Sequence, residues 1–234
     1  MSDKANITPK AASGSGAVDD FLEEMRSLAP AQGWGRGRLV FALDATMSRQ
    51  PTWDLAQSIQ SEMFVAARAL GGLDVQLVYF RGLSECRASR FVSDGEGLAA
   101  LMSAISCRAG LTQLEKVLRH TLDEARAQPV AALIYIGDAM EENPERLAGA
   151  AGELGLLGVK AFMFQEGADK ATERVFREIA RLSGGAYAAF DASAAQRLAA
   201  LLKAVAAYAS GGRAALERRA REGEPAATLL LSQI

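Results

Sequence analysis

One histidine, two cysteines and no long apolar run are the scarcities that remove whole classes of function from this 234-residue sequence. With His120 as the lone imidazole, no histidine-rich metal centre can be assembled. Cys86 and Cys107 lack the paired spacing of a zinc site, and two thiols make no disulfide framework. They read as reduced and structural. Charge of one sign is missing too: 26 basic and 28 acidic side chains give a net charge of −2, mixed along the chain. That lacks the basic footprint of a nucleic-acid binder. Apolar runs stay short of what a bilayer crossing needs. The opening decapeptide MSDKANITPK carries no apolar signal core. The expectation is a cytoplasmic protein with neither nucleic acid nor membrane as partner. P-loop, G-x-S-x-G and strand-following G-x-G-x-x-G motifs are all missing, and GWGRG (33–37) precedes a strand, the wrong side for a dinucleotide. Enzymatic activity is not expected.

What is present is a hydrophobic half of the composition, enough for a sizeable core in one domain. Residues 1–17 are small and polar and read as a disordered leader. Residues 18–35 hold a short helix, over 18–29, and a Gly-rich linker. From there strands and helices alternate. The runs at 38–43, 73–80, 130–137 and 159–165 read as strands, three of them apolar on both faces as covered parallel strands are. A weaker strand at 86–92 reads as an antiparallel edge. Amphipathic spacing predicts helices over 52–70, 95–106, 112–127, 143–156, 171–182 and 191–209. There is no internal repeat. The alternation implies an α/β, doubly wound, Rossmann-like fold: a mostly parallel central sheet with one antiparallel edge strand and helices on both faces.

The stretch LVFALDATMSRQ (39–50) stands out. An apolar strand runs into Asp44, and hydroxyls follow at alternate positions, Thr46 and Ser48. Asp138 ends another strand in LIYIGDAMEEN, and Thr112 opens a helix in AGLTQLEKVL. Ligands of open parallel sheets bind beyond the carboxyl ends of the strands, where these two carboxylates and three hydroxyls converge. Such hard oxygen donors suit Mg²⁺ or Mn²⁺. Each residue also has a plain alternative: an Asx turn or helix cap for Asp44, Thr46 and Ser48, a strand-end turn for Asp138, and a capping box with Glu115 for Thr112. Only the joint placement favours a site. Glu141 and Glu142 read as a solvated loop or as groups that tune metal affinity and repel wrong partners.

DATMS, the Thr112 loop and Asp138, in that order, resemble the metal-ion-dependent adhesion site of von Willebrand factor A (VWA) domains, of the bacterial cytoplasmic type. RLSGGAYAAFD (181–191) resembles the family's late helix, Gly-Gly turn and final strand. The resemblance spans residues 36–210, leaving 211–234 as a C-terminal extension. It departs at Thr46, which replaces a serine but keeps the oxygen, at bulky Met47 between the hydroxyls, and at Gly-Leu before Thr112. It implies that Thr46, Ser48 and Thr112 contact the metal directly or nearly so, with Asp44 and Asp138 acting through water. A partner protein would complete the coordination with Glu or Asp. The implied function is metal-dependent protein–protein interaction, alongside an ATPase or in a multiprotein assembly. The alternatives are a metal-independent VWA scaffold and a phosphoryl-transfer hydrolase. The hydrolase is disfavoured because Thr46 stands where that chemistry needs a second carboxylate.

Beyond the family-like region, Gly211-Gly212 is expected to stop a helix, and Gly223 and Pro225 to interrupt the charged segment that follows. Leu229, Leu230, Leu231 and Ile234 then form an apolar cluster. Each is worth roughly 1.5–3 kcal/mol on full burial. Docking of this end on its own domain, beside the N-terminal helix, or on a second subunit is therefore expected.

Overall fold

Six strands form one sheet in the order β3-β2-β1-β4-β5-β6. The computed structural model describes residues 36–191 and 195–234; the expected leader and N-terminal helix lie outside these residues. The strands are β1 (Gly37–Asp44), β2 (Leu73–Arg81), β3 (Glu85–Val92), β4 (Ala132–Gly137), β5 (Lys160–Glu166) and β6 (Ala186–Phe190). Only β3 runs antiparallel to its neighbour, through a bulge between Gln76 and Val78, and it is the edge strand expected from the sequence. The helices are α1 (Gln50–Ile59), α2 (Ser61–Ala67), α3 (Gly95–Ser103), α4 (Leu114–Ala127), α5 (Pro144–Leu156), α6 (Lys170–Ser183), α7 (Ala195–Arg221) and α8 (Pro225–Leu231).

Strand alternation assigns two cores. Leu39, Phe41 and Leu43 of β1 face α1–α3, α7 and α8. Val40 and Ala42 face α4–α6. Because β1 is covered on both sides, it is apolar without interruption from Leu39 to Leu43, up to Asp44, which explains the pattern that opens the site.

Three elements differ from the sequence expectation. The helix expected over 52–70 is split at Gln60, where the Met63 N–H closes a short turn on the Gln60 carbonyl (3.1 Å) and the Gln60 side chain donates to the Gly95 carbonyl (2.9 Å). The helix expected from Thr112 begins at Leu114, capped by no side chain of its own Gln113. The charged helix is interrupted after Arg221, with Gly223 at φ 88°, as expected. Pro225 then starts a further helix that the sequence reading did not include, since its missing N–H is spare in a first turn. At Gly212 (φ 65°, ψ −165°) α7 kinks, as the Gly-Gly pair leads one to expect, and helical backbone resumes to Arg221.

The chain end docks on its own domain. Ala227 and Leu230 are fully buried, while Leu231 and Ile234 are partly buried against the same core. Gln233 then accepts from the Tyr187 N–H (2.9 Å) and donates to the Tyr187 carbonyl (3.1 Å). This satisfies Tyr187 on the open side of edge strand β6, a side that would otherwise offer itself to other chains.

Candidate metal and interaction site

Strand order reverses direction between β1 and β4, so their carboxyl ends flank a crevice at the topological switch point. Asp44 ends β1 and Asp138 follows β4. The loop after β1 is short and tight. The Asp44 carboxylate accepts from the Thr46 N–H (2.7 Å), and the Arg49 N–H bonds to the Thr46 carbonyl (2.9 Å), closing a 3-10 turn over Met47–Arg49. Thr46 is buried, and Ser48 is exposed at the rim. Met47 points outward, 61 % exposed, so its bulk does not fill the crevice.

The 107–112 loop closes the second side. The Arg108 N–H bonds to the Ala45 carbonyl (3.0 Å) and the Leu111 N–H to the Gly82 carbonyl (3.1 Å). Gly110 makes this approach possible: a Cβ there would lie 2.2 Å from the Gly82 carbonyl oxygen and 2.3 Å from its nitrogen.

Thr112 is held by the acidic loop after β4. Its hydroxyl donates to Glu142 (2.7 Å) and accepts from the Glu141 N–H (3.0 Å), while its own N–H donates to Glu141 (3.1 Å). Glu142 also accepts from the Glu115 N–H (3.3 Å). The capping box expected of Thr112 and Glu115 is therefore replaced by a carboxylate from another loop, favourably placed at the positive end of α4.

Asp138 faces Arg49. One guanidinium nitrogen lies 3.1 Å from its carboxylate, and another pairs with Glu166 at the end of β5. Thr52 donates to the same Glu166 oxygen. The Arg49 side chain is 12 % exposed, and its buried Nε meets no acceptor among the described residues. Four of the five residues singled out in the sequence thus lie in separate pairings, Asp44 with Thr46, Thr112 with Glu141 and Glu142, Asp138 with Arg49, and the fifth, Ser48, is exposed. Among the described residues, no group of three or more His, Cys, Asp or Glu closes on one point. Arg49 and Glu166 were missed from sequence. An acid ending a third parallel strand was the available signal for Glu166; none existed for Arg49, whose role comes from side-chain reach.

Electrostatics mark Asp44. Burial pushes its carboxyl up to about 6, against the Thr46 hydrogen bonds, and nearby Asp138 adds to the rise while Arg49 opposes it. Beneath it, Tyr135 is wholly buried with a hydroxyl that meets no partner among the described residues. Gly137 leaves room for that ring, since a Cβ there would sit 3.0 Å from the phenolic oxygen. Asp44, Glu142 and Asp138 all act on this phenol, after burial itself, to hold its proton on. As chemistry, the two carboxylates and three hydroxyls on this edge are hard oxygen donors of the type a divalent cation takes, held here in separate pairings.

Trp53, His120 and Cys107 are structural. Trp53 is buried, donates to the Met102 carbonyl (3.3 Å) and meets Tyr79 edge-on. His120 pairs with Gln76 (2.9 Å). Cys107 is a buried free thiol pushed up to about 11, chiefly by burial, so it is no nucleophile at neutral pH.

A scan against family models gives no match, and a search of curated proteins gives none. Solved structures do match. A von Willebrand factor type A protein from Catenulispora acidiphila is 15 % identical with a TM-score of 0.62, over 76 % of this chain and 43 % of that one. A human COPII-coat protein is 10 % identical with a TM-score of 0.54, over 76 % and 33 %. The SpRpn10 VWA domain is 8 % identical with a TM-score of 0.54, over 70 % of this chain and 95 % of that domain. The fold is that of VWA domains. The chain spans less than half the length of the first two of these proteins. No helix among the described residues is long and apolar enough to cross a membrane.

Proposed function

We propose that this VWA-fold protein is a non-enzymatic interaction module of the cytoplasm. In this reading it binds Mg²⁺ or Mn²⁺ at the carboxyl edge of the sheet and takes an acidic side chain of a partner protein there. The observation that carries the reading is the gathering of Asp44, Thr46, Ser48, Thr112 and Asp138 at the β1/β4 switch point of a fold shared with VWA domains. The bound cation would supply a Lewis-acidic anchor for the partner's carboxylate. Asp44, held through Thr46, and Thr112, held through Glu142, would then need little reordering to serve it. Met47 and Leu111, 61 and 49 % exposed, are the chain neighbours of Thr46, Ser48 and Thr112 and add apolar surface beside them. A structure related to this fold belongs to a coat protein, which supports a partner in a multiprotein assembly.

Calorimetry with Mn²⁺ on the wild type and on Asp44→Ala tests this. Heat of binding is expected only from the wild type, and equal affinity in both proteins would sink the assignment. The Arg49–Asp138 ion pair favours one second reading, a metal-independent scaffold. Partner binding indifferent to chelator would select it.

A further inference from the structure

We propose that Arg49 is an internal cation that competes with the divalent ion for Asp138, so that metal occupancy and release of the Arg49 guanidinium are coupled. The inference rests on the metal-site reading above and adds to it a residue that sets the site's affinity.

Arg49 directly follows Ser48, and its 3-10 turn aims the side chain into the edge instead of out to solvent. The guanidinium spans two strands, holding Asp138 beyond β4 at 3.1 Å and Glu166 at the end of β5. A buried ion pair is an inefficient way to stabilise a fold unless every donor is satisfied. Here Nε is buried without an acceptor. Thr52 gives Glu166 a second donor, so Glu166 keeps a partner if Arg49 leaves. Asp138, by contrast, is part-exposed and has Arg49 as its one ion-pair partner among the described residues. It is the carboxylate free to change hands. A dication and a guanidinium cannot both sit against one carboxylate without strong mutual repulsion at such separations. Whatever favours one therefore disfavours the other by the same factor. Arg49 thereby holds the edge together without metal and raises the metal concentration needed to claim Asp138.

Mn²⁺ calorimetry on the wild type, Arg49→Gln and Arg49→Lys reads the competition. Arg49→Gln is expected to bind Mn²⁺ at least about fivefold more tightly, and Arg49→Lys, which keeps the charge, to stay near wild type. In chelator, Arg49→Gln is expected to melt below the wild type, with Mn²⁺ closing the gap. A measurement on the unmutated protein guards against a variant that does not fold. The Arg49 Nε–H, buried without metal, should exchange slowly with water by proton NMR and become fast-exchanging when Mg²⁺ saturates the site. Equal or weaker Mn²⁺ affinity in folded Arg49→Gln, or Nε–H protection unchanged in saturating Mg²⁺, overturns the coupling while leaving the metal site standing. No Mn²⁺ binding by any of the three proteins removes the metal site and the competition together.

Discussion

The two ends of the sheet treat charge in opposite ways. At the amino end, cations and their acceptors are matched: Arg36 pairs with Asp74 (2.6 Å), Arg38 with Glu124 (2.9 Å), and Lys160 donates to the Gly184 carbonyl (2.7 Å). At the carboxyl end, Asp138 and Glu166 share one guanidinium, Arg49, whose buried Nε has no acceptor among the described residues. Asp44 is held by Thr46, and Glu141 and Glu142 by Thr112, with no cation paired to them among the described residues. Matched pairs serve the fold and ask for nothing more. An excess of carboxylate beside one half-satisfied cation costs stability, and structures keep such arrangements where something is bound.

The largest effect should come from the stabilising end. The C-terminal helix α8 packs on α7 and, through Gln233, on the second residue of β6. Leu230→Ala removes a fully buried side chain there and is expected to cost about 2–5 kcal/mol, read by urea denaturation. It should leave Mn²⁺ affinity unchanged. A loss of metal affinity in the folded variant would show that the two ends are not independent.

Relieving the carboxyl end should do the reverse. Asp44 holds its proton up to about pH 6 in the fold, against an ordinary value of 3.8, mainly through burial. Between those values the folded chain keeps a proton that the unfolded chain has lost. Stability of the metal-free protein therefore falls as pH rises through that window and stays reduced above it. Asp44→Asn is uncharged and retains an oxygen for the Thr46 N–H. It should gain up to about 3 kcal/mol at pH 7 and flatten the pH dependence from 4 to 6, while losing metal binding. Melting curves in chelator across that range check the sign, and a destabilised Asp44→Asn would mean the carboxylate is needed by the fold.

Tyr135→Phe sharpens the contrast at smaller scale. Deleting a buried hydroxyl without a partner should raise metal-free stability by about 1 kcal/mol, measured by the same denaturation. Destabilisation instead would mean the phenol finds an acceptor that repays its burial.

Much of this was legible in residue order. The uninterrupted run before Asp44 announced a strand covered on both faces, and the weaker 86–92 segment announced the antiparallel edge. The placing of Asp44, with the loop after it, and of Asp138 on one edge also followed, because strand polarity alone places the ends of parallel strands together. Thr112 was legible only in part. Its position at a helix start was close to right, but its hydroxyl goes to Glu142, thirty residues on, instead of to the cap that local spacing suggested.

The sequence by itself determined the alternation of strands and helices, the edge of the sheet on which Asp44 and Asp138 lie, and the need of the apolar chain end for cover. Those follow from periodicity and burial, which are local and additive along the chain. Only the tertiary structure decided which donor pairs with which. Arg49 reaches Glu166, 117 residues away, Glu142 takes over the cap of α4, and Gln233 seals β6. Such pairings depend on side-chain length and on which loops stand side by side, and no spacing rule within one segment encodes either.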